Sequence, residues 1–174
     1  VHSVDPLDPA ALPGDAETLW SFPDSPTRTL TRNAKNIGLA GEYLVDSVLT
    51  RFGLTSCQLP ESAPSDRFVL VGSHALRTQI KTAARHDDTA YRFSITRGYH
   101  RAPSGVRAYA EEDFDMLALV ALPENVVVFT AARRACFSIP LAAIPALRAN
   151  PRDTLGEALR ALHVPIPGAP EDDA

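Results

Sequence analysis

The chain has 174 residues, 45% of them hydrophobic and 22% charged, with a formal net charge of −4. That length predicts one domain with a core large enough to stabilise it, and the apolar fraction excludes general disorder. No apolar run approaches the roughly 18 residues of a membrane-spanning helix, and the net acidity excludes indiscriminate, charge-driven coating of nucleic acid.

In chain order, residues 1–27 carry five acids (Asp5, Asp8, Asp15, Glu17, Asp24), no Lys or Arg, and Pro at 6, 9, 13, 23 and 26, which predicts an extended arm. Its start has no basic stretch followed by an apolar one, so no secretory signal is expected there. Trp20 and Phe22 are candidates to anchor the arm to the body or to a second subunit. The folded body is expected over 28–164. A helix is predicted over 32–52, because Ile37, Ala40, Leu44, Val45, Val48, Leu49 and Phe52 fall on one arc and Gly53 supplies a C-terminal stop. Short runs rich in β-branched and aromatic residues predict strands over 67–71, 76–83, 91–96, 114–121, 126–130 and 135–139. Helices follow near 141–148 and 154–162, the last capped by Thr154 or Asp153, with Glu157 completing a capping box. Residues 165–174 form an acidic, Pro-containing tail. A helix, a run of strands, then helices gives an α/β domain with a central sheet. Cys57 and Cys136 have neither zinc spacing nor a disulfide framework, and are expected to be buried in reduced, cytoplasmic surroundings.

Among 17 basic residues only Lys35 and Lys81 are Lys. Against that bias each is a candidate for a site that needs a compact ammonium group. Three further polar residues stand where a core prefers apolar ones. Glu42 lies at the edge of the helix's apolar arc, close in angle to Val45 and Leu49, and points towards the sheet, whereas Asp46 lies further round towards solvent. Gly72-Ser73-His74-Ala75 reads as a hairpin turn. Centred between Ser73 and His74, it sets Asp66 opposite Lys81 and Phe68 opposite Gln79. Gln79 and Lys81 then share a strand face with Asp66, while Ile80 points into the core.

Asp66, then Gln79-Ile80-Lys81, with Glu42 on a preceding helix, resembles the PD-(D/E)XK motif of restriction-endonuclease-like nucleases. Pro64-Ser65-Asp66 stands where that superfamily has its Pro-Asp step, with one residue inserted. Gln79 replaces the usual acid, as in a group I intron homing endonuclease branch. Gly41-Glu42-Tyr43-Leu44-Val45 is similar to archaeal-type Holliday junction resolvases, and Tyr109 with the strand Asp113-Phe114-Asp115-Met116-Leu117-Ala118-Leu119-Val120 resembles both branches. The resemblance implies a restriction-endonuclease-like core, a mixed central β-sheet flanked by helices.

It also implies a Mg²⁺-dependent endodeoxyribonuclease, with Mn²⁺ substituting. A hard divalent cation takes oxygen ligands. Asp66 is then the principal ligand, Gln79 gives an amide oxygen and Ile80 a backbone carbonyl. Glu42 holds a second metal or a metal-bound water, and Lys81 orients or helps deprotonate the attacking water. One small chain carries one such site, so cutting two strands implies a homodimer or homotetramer.

Residues 77–107 hold seven bases and two acids, with Tyr91, Phe93 and Tyr99 interleaved. The stretch from Arg97 to Arg107 reads as a long loop. Arg77, Arg85, Arg97, Tyr99, Arg101 and Arg107 are therefore candidate DNA contacts, extended by Lys35 near the first helix. The alternative is a catalytically inactive nuclease-like module that binds nucleic acid or a protein partner. A metabolic enzyme is disfavoured, because the chain has no Gly-rich phosphate loop, no paired metal-binding histidines and no Gly-x-Ser-x-Gly elbow. The substrate stays open between a duplex site, a four-way junction and damaged DNA.

Overall fold

A computed structural model describes residues 18–98 and 105–166. The predicted first helix forms as α2 (Ala34–Arg51), preceded by a short α1 (Thr27–Arg32) that the sequence reading did not anticipate. An unforeseen edge strand, β1 (Thr55–Gln58), follows. Its polar, exposed residues give no alternating pattern to detect. The expected strands form as β2 (Arg67–Val71), β3 (His74–Ala83) and β4 (Ala90–Ser94), followed by a separate two-residue β5 (Thr96–Arg97) at the start of the stretch expected as a loop. Then come β6 (Arg107–Ala108), β7 (Met116–Ala121), β8 (Val126–Thr130) and β9 (Cys136–Pro140), with α3 (Ile144–Ala149) and α4 (Asp153–Ala161) closing the body.

Five strands make a mixed sheet in the order β1-β2-β3-β7-β8, with β3 and β7 parallel and the other neighbours antiparallel. Its two faces are buried differently. Val45, Val48 and Leu49 of α2 and Leu155 and Leu159 of α4 pack on Val69, Val71, Ile80, Ala118 and Val120. On the opposite face Tyr91, Phe93 and Ile139 of the small β4-β9 sheet, with Ile144 of α3, pack on Leu117, Leu119 and Ala121. β7 is covered on both sides, and every one of its residues is buried. This explains why it reads as an unbroken apolar run, while β2, covered on one side, alternates.

The hairpin forms one residue earlier than the sequence predicts. Gly72 and Ser73 make a two-residue turn, with Gly72 at φ +58°, a value a side chain disfavours. Val71 therefore pairs with His74 and Arg67 with Thr78, and Phe68 faces Arg77 rather than Gln79. Each partner moves by two positions, which preserves the strand faces. Two other expectations need correction. Both cysteines are exposed, Cys57 on the open edge strand and Cys136 at the start of β9. No side chain caps α4. The Thr154 hydroxyl instead accepts the Phe129 N–H at 3.2 Å, satisfying an outward amide of edge strand β8. Asp46 does lie further towards solvent than Glu42, its side chain 30% exposed against 23%, and it is also held by a buried arginine, described below. Among the described residues no helix is long and apolar enough to cross a membrane.

Candidate active site

β3 changes partner at Thr78. Before it the strand pairs with β2; from it onward the strand pairs with β7. β2 begins only at Arg67, so the edge of β3 that faced it is open beyond Thr78. Asp66 occupies that gap. Its Oδ2 accepts the Ile80 N–H at 2.7 Å and the Gln79 Nε2 at 2.5 Å. The carboxylate thus takes the place of a ladder carbonyl that β2 no longer supplies. Gln79 Nε2 also donates to the Ile80 carbonyl at 3.1 Å. The Ile80 side chain is buried under α2, as expected.

Glu42, Asp66, Gln79 and Lys81 line one cleft of about 440 Å³ between α1, α2 and the open edge of β3. Thr27, Leu30, Ile37 and Arg85 complete its walls. A second trough of about 860 Å³ adjoins it and also reaches Glu42 and Asp66.

Arg67 organises the carboxylates on the far side, a role the sequence reading missed. The residue is 2% exposed. Its Nη1 donates to Glu42 Oε2 at 2.8 Å and to the Asp66 backbone carbonyl at 3.0 Å. Nε and Nη2 grip Asp46 at 3.1–3.2 Å, and the Ser56 hydroxyl donates to Asp46 Oδ1 at 2.6 Å. Glu42 and Asp46 stand one turn apart on α2, so one guanidinium bridges both. The signal was present in the sequence: period-two alternation puts Arg67 on the same face as Val69 and Val71, beneath the helix.

Lys81 Nζ donates to the Thr96 carbonyl at 3.0 Å and to the Tyr109 hydroxyl at 2.9 Å. Tyr109, part of the resemblance but given no role there, thus belongs to the site. Burial pushes its hydroxyl up to about 12, with the Asp66 charge adding to the shift. Burial lowers the Lys81 pKa against the opposing pull of Asp66. Burial raises the pKa of Asp66 despite the Ile80 N–H and Lys81, and raises that of Glu42 despite Arg67. Ionising these two carboxyls therefore costs the fold stability. The stabilising contribution is present while they hold protons and is lost as pH rises through the elevated pKa values. The Glu42→Gln/Asp66→Asn variant lacks that loss. Its melting temperature is expected to gain on the wild type from acid to neutral pH, and melts across that range check the sign.

The candidate DNA contacts are less concentrated. Arg85 lines the cleft but is tied to the Thr27 hydroxyl at 2.5 Å and to the Ser25 carbonyl. Arg77 is held by Asp115 at 2.7 Å and by the Glu112 carbonyl. Arg97 and Arg107 face each other across the β5-β6 pair, with Arg97 3.7 Å from Asp113. Lys35 is exposed at the trough, 3.6 Å from Glu61. Tyr99 and Arg101 lie outside the described residues.

The donor set can be tested against a cation. Among the described residues no three His, Cys, Asp or Glu side chains are grouped so as to hold a metal ion between them. The cleft offers two carboxylates, and Asp66 Oδ1 and Glu42 Oε1 carry no hydrogen bond among the described residues. The neutral oxygens are the Ile80 carbonyl and the Gln79 amide. Turning that amide over exchanges its nitrogen for an oxygen beside Asp66 Oδ2 and the Ile80 carbonyl. Such an all-oxygen set suits Mg²⁺ or Mn²⁺ rather than zinc.

A mixed five-stranded sheet flanked by helices is the α/β architecture of a nuclease-like fold. Among solved structures the chain is similar to a bacterial homing endonuclease, I-Ssp6803I, with a TM-score of 0.53 and 12% identity, over 68% of this chain and 96% of that one. No protein-family model matches the sequence, and no curated protein matches it. At that identity the likeness carries the fold.

Proposed function

We propose that the protein is a metal-dependent DNA endonuclease of the PD-(D/E)XK type. The observation that carries this reading is the convergence of Glu42, Asp66, Gln79 and Lys81 on one cleft, at the point where β3 changes partner. Asp66, Gln79 through its amide oxygen, and the Ile80 carbonyl would hold Mg²⁺ or Mn²⁺, with Glu42 beside them. The bound ion would supply Lewis acidity and a more acidic water.

The chain's own groups do the rest. A neutral Lys81 amine has two N–H bonds and one lone pair. Thr96 and Tyr109 accept the two N–H bonds and leave the lone pair to take a proton from the attacking water at Nζ. Burial lowers the Lys81 pKa, which eases formation of that neutral amine. Arg67 keeps Glu42 oriented. Each chain has one site, so a homodimer or homotetramer would cut opposed strands.

The test is incubation of the purified chain with Mn²⁺ and a panel of plasmid, intronless-gene duplex, four-way junction and single strand. Metal-dependent cutting is expected, and the preferred substrate separates a homing enzyme from a junction resolvase. Binding to the panel without cutting favours the inactive-module alternative, in which the Gln79 amide permanently occupies the cation's position against Asp66.

A further inference from the structure

Two glycines of α2 stand three residues apart and differ in what surrounds them. A Cβ on Gly41 would lie 2.0 Å from Thr82 Oγ1 and 2.9 Å from Thr82 Cγ2. Packing of the helix on β3 accounts for that glycine. A Cβ on Gly38 would have nothing within 4 Å. Glycine is the poorest helix former short of proline, yet it occupies the interior of an 18-residue helix at a position where alanine fits. What Gly38 borders is space. It lines both the cleft and the trough, and the residues common to the two are Thr31, Ala34, Gly38, Glu42 and Asp66. Ala34, Gly38 and Glu42 recur at one-turn spacing, so a single helix face floors the passage between the cavities.

Cations stand at both ends of that passage. Arg32 and Lys35 line the trough, with the exposed Glu61 3.6 Å from Lys35, and Lys81 and Arg85 line the cleft, with Glu42 and Asp66 between. We propose that one nucleic-acid strand lies across α2 at Gly38, running from trough to cleft with its phosphates on either side of Glu42 and Asp66. Gly38 is then a residue that positions the substrate: without a side chain, it lets the strand's backbone approach the helix closely. The proposal rests on the endonuclease reading.

The test compares wild type, Gly38→Ala and Gly38→Leu on whichever panel substrate the wild type cuts, with thermal melts and Mn²⁺ titrations alongside. Both variants are expected to melt at or above the wild type and to bind Mn²⁺ as it does. Cleavage by Gly38→Leu is expected to fall at least about 10²-fold, the scale set by misplacing a substrate, with Gly38→Ala between. Wild-type-like cutting by Gly38→Leu overturns the strand path and leaves the endonuclease reading standing. Loss of cutting together with a lower melting temperature assigns Gly38 to packing and also overturns it. A wild type that cuts nothing ends both readings.

Discussion

Arg67→Met is expected to destabilise the protein by about 3–5 kcal/mol, the scale of removing one partner from a buried ion cluster. At roughly 2–4 °C per kcal/mol for a chain of this size, the melting temperature falls by about 6–20 °C. Methionine fills much of the guanidinium's volume, so packing is not the main loss. What remains is a half-buried Asp46 and Glu42 on α2 without their counterion, and an Asp66 carbonyl without its donor. Adding Asp46→Asn and Glu42→Gln removes the stranded charges and is expected to recover part of the stability. Arg67→Lys is expected to recover little, because a single ammonium cannot match a fork that spans both carboxylates. Urea denaturation of the three variants measures this. A loss below about 1 kcal/mol, the scale of an exposed pair, would contradict the buried cluster.

Asp66→Asn is expected to abolish cleavage while raising the melting temperature. The carboxylate's pKa is raised, chiefly by burial, so its charge is carried at a cost to the fold. Asparagine keeps an oxygen for the Ile80 N–H and sheds that charge. It also removes the principal anionic ligand, so the expected loss of activity exceeds the roughly 10–100-fold that follows loss of a group merely supporting a metal ligand. Opposite movements of stability and activity mark a group held for chemistry at the fold's expense. A variant that melts lower and cuts normally would remove Asp66 from the role proposed for it.

Much of this was legible in the sequence, and the misses have physical causes. The strands over 67–71 and 126–130 emerged from short runs of β-branched and aromatic residues, and the long helix from its period, because its apolar residues share one arc. The grouping of Asp66, Gln79 and Lys81 survived a shifted turn, since moving the register by two residues keeps side chains on their face. β1 and α1 stayed hidden, the one polar along an open edge, the other too short for a helical period. The helical wheel sets Asp46 towards solvent but considers one element, so it shows nothing of what holds the carboxylate. Its partner Arg67 comes from β2, and the pairing depends on how α2 crosses the sheet. The Thr154 hydroxyl shows the same limit, since a local capping pattern lost to an amide on a neighbouring strand.

The most direct test of the proposed chemistry is electron paramagnetic resonance titration of Mn²⁺ into the wild type, Asp66→Asn and Gln79→Leu at neutral pH. Saturable binding by the wild type, lost in Asp66→Asn and weakened in Gln79→Leu, is the predicted result. Equal Mn²⁺ binding by all three proteins, or none by the wild type, would contradict a cation held between Asp66 and the Gln79-Ile80 edge of β3.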